Sequence, residues 1–184
     1  MKKHLLITAI SAIVFVLGCS AAANAQDAGL KKYTLADGRI TVELPAEPTL
    51  EKLDEDGVLT LTYSSETEET LVSVTEVSYS DGTTMDGSNE FVMSMLDAFF
   101  RGIEQELAKG GDYEADAIEE IEFAGMKGKE QAIRISGMPM IARGFAVNGR
   151  LNFIGVMAPD EEQILKILNT LSFDSGSSAP LSAK

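Results

Sequence analysis

The sequence predicts an α+β domain: an antiparallel sheet of about seven strands with one long and one short helix, arranged like an α/β/α sandwich. Three observations predict it. Short runs alternate apolar with polar residues and are divided by Asp-Gly and Asn-Gly pairs, the spacing of hairpins. One stretch, Ser88 to Lys109, instead repeats its apolar positions every three to four residues, as an amphipathic helix does. Small residues, among them Gly144 and Gly155, fall on an apolar strand face, where they let a helix come close.

Each element follows from local pattern. Lys32 to Leu35, Ala36-Asp37-Gly38 and Arg39 to Leu44 read as a hairpin, with Ile40, Val42 and Leu44 on its buried face. Pro45 and Pro48 stop that strand. A short strand over Leu50 to Leu53 precedes a turn at Asp54-Glu55-Asp56-Gly57, and Leu59, Leu61 and Tyr63 alternate after it. Leu71 to Tyr79, rich in Val, Ser and Thr, is a strand. Asp81 to Gly87 is a loop. The helix that follows takes its cap from Asp86 or Ser88 and ends at Gly110-Gly111. Val92, Leu96, Phe99, Ile103 and Leu107 form its apolar stripe. Ser94, Asp97, Arg101, Glu104 and Ala108 form the opposite one. That polar stripe is not basic, so the helix suits a sheet rather than a membrane surface.

The second half reads as a meander: Ile118 to Phe123, Gln131 to Ser136, Met140 to Val147 and Leu151 to Met157. Asn148-Gly149 is its best turn and sets Ala146 opposite Leu151. One face then carries Ile133, Ile135, Ala142, Gly144, Ala146, Leu151, Phe153, Gly155 and Met157. The other carries Arg134, Arg143, Arg150 and Asn152 among Ile141, Phe145 and Val156. Pro159 opens a final helix with Asp160, Glu161 and Glu162 in its first turn, where the helix dipole favours acids. Ile164, Leu165, Ile167, Leu168 and Leu171 are its apolar side, and residues 174–184 read as a disordered tail. The single domain spans residues 31–173, after a flexible start at 26–30.

Tyr33-x-Leu35 with Gly38-x-Ile40-x-Val42-x-Leu44-Pro45, and Ile167-Leu168-x-x-Leu171-Ser172-Phe173 near the end, resemble the PsbP-like superfamily. The likeness runs over residues 31–173, in element order more than in motif. It implies an α/β/α sandwich on an antiparallel sheet, in a group with many secreted or lipid-anchored members, mostly noncatalytic. Many of them carry Trp soon after the first-strand Pro, where this chain has Ala46-Glu47-Pro48. No functional residue of the superfamily can be placed here.

The start of the chain bears on address. Met1-Lys2-Lys3-His4 is basic, Leu5 to Gly18 is apolar, and small residues follow, which is the layout of a secretory signal. The apolar run is shorter than the ~20 residues of a membrane span. Two cuts fit. Ala23-Asn24-Ala25 suits ordinary signal peptidase and makes residues 1–25 the leader. Val16-Leu17-Gly18-Cys19 resembles a bacterial lipobox, which removes 1–18 and lipidates Cys19. The physical argument leans to the lipobox, because a lone cysteine in an oxidising compartment has no disulfide partner. The alternative is a chance cysteine in a discarded leader. Either way the protein is expected to be exported, to periplasm or envelope, and to meet the membrane only through a lipid.

Composition excludes function classes. The chain has 15 basic and 29 acidic residues and a formal charge of -14; losing Lys2 and Lys3 with the leader deepens it by two. Such a chain repels phosphate backbones, so nucleic acid is not an expected partner. His4 is the only histidine and lies in the leader, which removes imidazole catalysis and most zinc, copper and iron sites from the mature chain. No cofactor, metal site or catalytic residue is assigned. Asp54-x-Asp56-Gly57 lacks the rest of a calcium loop. The acidic run Asp112, Glu114, Asp116, Glu119, Glu120 and Glu122 reads as a hydrated strand edge, and the methionines as core packing. One anion- or partner-binding candidate stands out. If Gly137 to Met140 closes a tight loop, Arg134 stands opposite Arg143, and facing like charges need a neutraliser. That is either Glu120, on a strand setting Ile121 beside Ile133, or an anionic ligand or acidic partner segment. The expectation is a noncatalytic envelope protein that binds or supports another envelope protein. The alternative is a carboxylate-dependent envelope enzyme.

Overall fold

The computed structural model describes residues 29–85 and 89–174. The expected leader, Cys19, the expected caps at Asp86 and Ser88, and the expected tail beyond residue 174 lie outside the described residues. Strands β1 (Lys31–Leu35) and β2 (Ile40–Leu44) form the first hairpin. Next come β3 (Thr49–Glu55), β4 (Val58–Glu66), β5 (Leu71–Tyr79) and the long helix α1 (Asn89–Gly110). Strands β6 (Tyr113–Ala115), β7 (Glu119–Phe123), β8 (Met126–Ile135), β9 (Met138–Val147) and β10 (Arg150–Met157) follow. Helix α2 (Glu161–Leu168) and the short β11 (Ser172–Phe173) finish the domain.

The fold is α+β. Strands β3-β4-β5-β10-β9-β8-β6 lie side by side, with β7 also on β8, in an eight-stranded sheet; β1-β2-β11 make a separate small sheet. Every pairing is antiparallel. Helix α1 covers one face of the large sheet, over Val77, Leu151 and Phe153 and, further along, Ile133, Met140 and Ala142. The small sheet and α2 cover the other, where Leu35, Ile40, Val42 and Leu44 meet Val72, Val74, Ile154 and Val156. This is three layers, with the central strands β5 and β10 buried on both faces.

Helix α1 sits where its stripe predicts. Leu96 is fully buried, and a Cβ on Gly144 would stand 3.1 Å from its Cδ2, so the glycine makes the close approach. Phe99 stacks on Phe153 with ring centroids 3.4 Å apart. Met95 and Phe100 are buried as well, which widens the stripe beyond the expected five residues. Asp97 and Glu104 do not simply face water: Asp97 pairs with Lys129, and Glu104 accepts from Gln131 Nε2 at 2.5 Å. Two polar residues of β8 are buried under the helix, and its flanks supply their partners. The α2 cap is Asp160, whose side chain accepts from the Gln163 amide; Pro159 precedes the cap.

The large sheet is stitched by four two-residue turns ending in glycine: Asp56-Gly57, Ala124-Gly125, Ser136-Gly137 and Asn148-Gly149, both residues of each at positive φ. That geometry suits the right-handed twist of hairpin strands. It also corrects the expected register. Ser136-Gly137 is itself the turn, so Arg134 faces Pro139, and Arg143 faces Glu130. Ala124-Gly125 starts β8 at Met126, so Ile121 faces Gly128, and Glu120 faces Lys129. The expected Arg134–Arg143, Ile121–Ile133 and Glu120–Arg134 pairings therefore do not form.

Candidate functional site

Between the large and small sheets lies a charged cluster that the sequence pattern did not single out. Glu76 sits in the middle of β5 and is only 2% exposed. Arg39, just after the β1–β2 turn, donates to it twice, from Nε at 3.0 Å and from Nη2 at 2.7 Å. A planar guanidinium gripping both oxygens of one carboxylate is the strong form of this contact. Arg150 Nε lies 3.6 Å from the same carboxylate. The Glu76 hydrogen bond, opposed by burial, raises the Arg39 pKa above its ordinary value. Tyr63 accepts the Ala36 amide at 3.0 Å and fixes the same turn. A lone Glu in the Val- and Ser-rich β5 was the available signal.

The sequence-named arginines are not brought together. Arg143 donates from Nε to Glu130 at 2.5 Å and lies over the Phe123 ring, 5.5 Å from its centroid. Arg134 is exposed and donates from Nη1 to the Gly137 carbonyl at 3.0 Å. The acidic residues from Asp112 to Glu122 stand exposed along β6, β7 and the chain between them. Asp56-Gly57 is the β3–β4 turn. Of the methionines, Met85, Met95 and Met140 are buried, Met93, Met126 and Met157 pack on the cores, and Met138 is exposed. Cys19 lies outside the described residues.

Beside Phe99 a cleft of about 280 Å³, open mouth included, runs over Ser73, Thr75, Phe153 and Gly155. Its lining holds two hydroxyls and no carboxylate, so it lacks the facing carboxylates a carboxylate enzyme uses.

Among the described residues, β3 is the long open edge of the large sheet. β3 pairs with β4 alone among the described residues, in continuous register from Thr49–Ser64 to Glu55–Val58. Six of its seven residues are exposed, and Leu50 is the most exposed large hydrophobic among the described residues, at 54%. Its start is pinned: the Ser65 hydroxyl accepts from the Ala46 amide and donates to the Ala46 carbonyl. A long, regular strand paired on one side only among the described residues is a template for another strand.

No protein-family model matches the chain, and no curated protein sequence matches it. Among solved structures, the chain is similar to the solution structure of cyanobacterial PsbP (CyanoP) from Synechocystis sp. PCC 6803. The TM-score is 0.50 and the identity 14%, over 86% of this chain and 98% of that one. The fold is PsbP-like.

Proposed function

We propose that this PsbP-like chain is an exported, noncatalytic module of the envelope that binds or supports another envelope protein, docking it along β3. The observation that carries the reading is the β3 edge: regular, pinned and uncovered among the described residues, with Leu50 in water. The interior adds support, because Glu76, Glu130 and Asp97 each hold an arginine or lysine within the domain. The leader pattern supports export, and Cys19 supplies the lipid anchor in the form favoured by its position. Among the described residues no helix is long and apolar enough to cross a membrane.

A photo-crosslinking amino acid placed at Leu50 in the native host tests the reading, with one at Arg134 as the exposed control. Position 50 is expected to trap one defined envelope protein that position 134 does not. Identical products from the two sites would sink the docking edge.

A further inference from the structure

The two open ends of the large sheet differ. At one end the edge is divided between β6 and β7, of three and five residues, and short edge strands are poor templates. At the other, β3 offers seven residues in unbroken register. Its side chains form two rows. Thr49, Glu51, Leu53 and Glu55 stand on the α1 side of the sheet; Leu50, Lys52 and Asp54 stand on the small-sheet side. A strand added here sets each side chain opposite one of these on the same face. Opposite charges across such a pair attract, and like charges repel.

We infer that the occupant of this edge is an extended, net-basic segment of another protein, an inference that rests on β3 being the docking edge. Opposite Glu51, Leu53 and Glu55 the matching row is basic, apolar, basic. Opposite Leu50, Lys52 and Asp54 it is apolar, acidic, basic. The main-chain bonds supply affinity, and the two rows set register. A formal charge of -14 draws such a segment in. A second copy of the chain fits badly. A two-fold axis makes one residue of β3 face itself. Centred on Glu51, Lys52 or Asp54, that residue is charged; centred on Leu53, Glu51 faces Glu55; centred on Leu50, only residues 49–51 of the strand overlap.

The test uses fluorescence anisotropy on the purified full chain. The probe is the labelled peptide Lys-Lys-Val-Glu-Lys-Val-Thr, written antiparallel to residues 55 down to 49. Its controls are the charge-swapped Glu-Glu-Val-Lys-Glu-Val-Thr and a copy of the probe N-methylated at alternate amides. The basic peptide is expected to bind at least about tenfold tighter than the swapped one, several weak cross-strand pairs acting together. N-methylation on the pairing side should abolish binding, and Glu51→Lys with Glu55→Lys should erase most of the preference, since each peptide then meets two attractive and two repulsive pairs. Equal binding of both unmethylated peptides overturns the basic chemistry and leaves the docking edge standing. Equal binding of the methylated peptide, or binding of none, overturns both. A dimer in sedimentation that the double charge reversal dissolves assigns the edge to a second copy and overturns the inference. The peptide comparison needs no variant, so a folding defect in one cannot shelter the idea.

Discussion

Glu76, itself buried, holds two partly exposed arginines, and its neutral variant isolates that duty. Glu76→Gln keeps the shape and leaves Arg39 and Arg150 without their shared carboxylate. The expected loss is about 3 kcal/mol, the low end for breaking a buried ion pair, because both arginines still reach water. Their side chains are 31% and 27% exposed. Urea denaturation measures it, and an unmoved midpoint would mean that solvent serves both arginines equally well. The raised Arg39 pKa fixes the sign with pH. Its stabilising share is fully present below the ordinary arginine value and lost only as pH rises through the folded one, at extreme alkalinity. Little of this cluster was legible in the sequence. Arg39 and Glu76 are 37 positions apart, and only the stacking of the small sheet on β5 joins them.

Helix α1 was the most legible element, since one long stripe with a small-residue face beneath it has few other uses. Leu96→Ala is expected to cost about 2–5 kcal/mol, as large buried truncations do. Thermal melting will show it; an unchanged transition would mean that Leu96 does not fill the space over Gly144. The hairpins were legible in proportion to their turn residues. Asn148-Gly149 announces positive φ at both places, and the β9–β10 register followed correctly. Ala124 and Ser136 announce nothing of the kind, yet both adopt φ near 50°. The slips in the β7–β8 and β8–β9 registers trace to those two residues. Gly128 masked β8 further. A Cβ there would meet the Phe145 ring and the Gly144 carbonyl at 2.5 Å, a demand set by the neighbouring strand. The strained alanine gives its own test. Ala124→Asn should stabilise the domain by about 0.5–1 kcal/mol, because asparagine tolerates the left-handed region better. A drop in denaturation midpoint would contradict that turn geometry.

At the scale of the molecule, order of elements carried the fold class, while the docking edge was hidden. Leu50 to Leu53 reads as an ordinary short strand, and only the sheet order reveals that β3 has one neighbour among the described residues. The anchor has a prediction at this scale. If Cys19 is lipidated, the protein partitions with membranes, and Cys19→Ser releases it; several acyl chains hold firmly where one is marginal. An N-terminus at Gln26 in the mature protein rules this out. The small sheet has one more consequence. It joins the start of the domain to its finish: Thr41 pairs with Ser172, Ile40 with Phe173, and the Asp174 amide donates to the Arg39 carbonyl. Such distant partners meet late, because closing a long loop costs entropy before any contact rewards it. A chain emerging or threading from its front end therefore keeps this layer open until α2 and β11 arrive. If the chain is exported as proposed, the translocation machinery meets a polypeptide whose last layer is still open, with the timing of closure written into the connectivity.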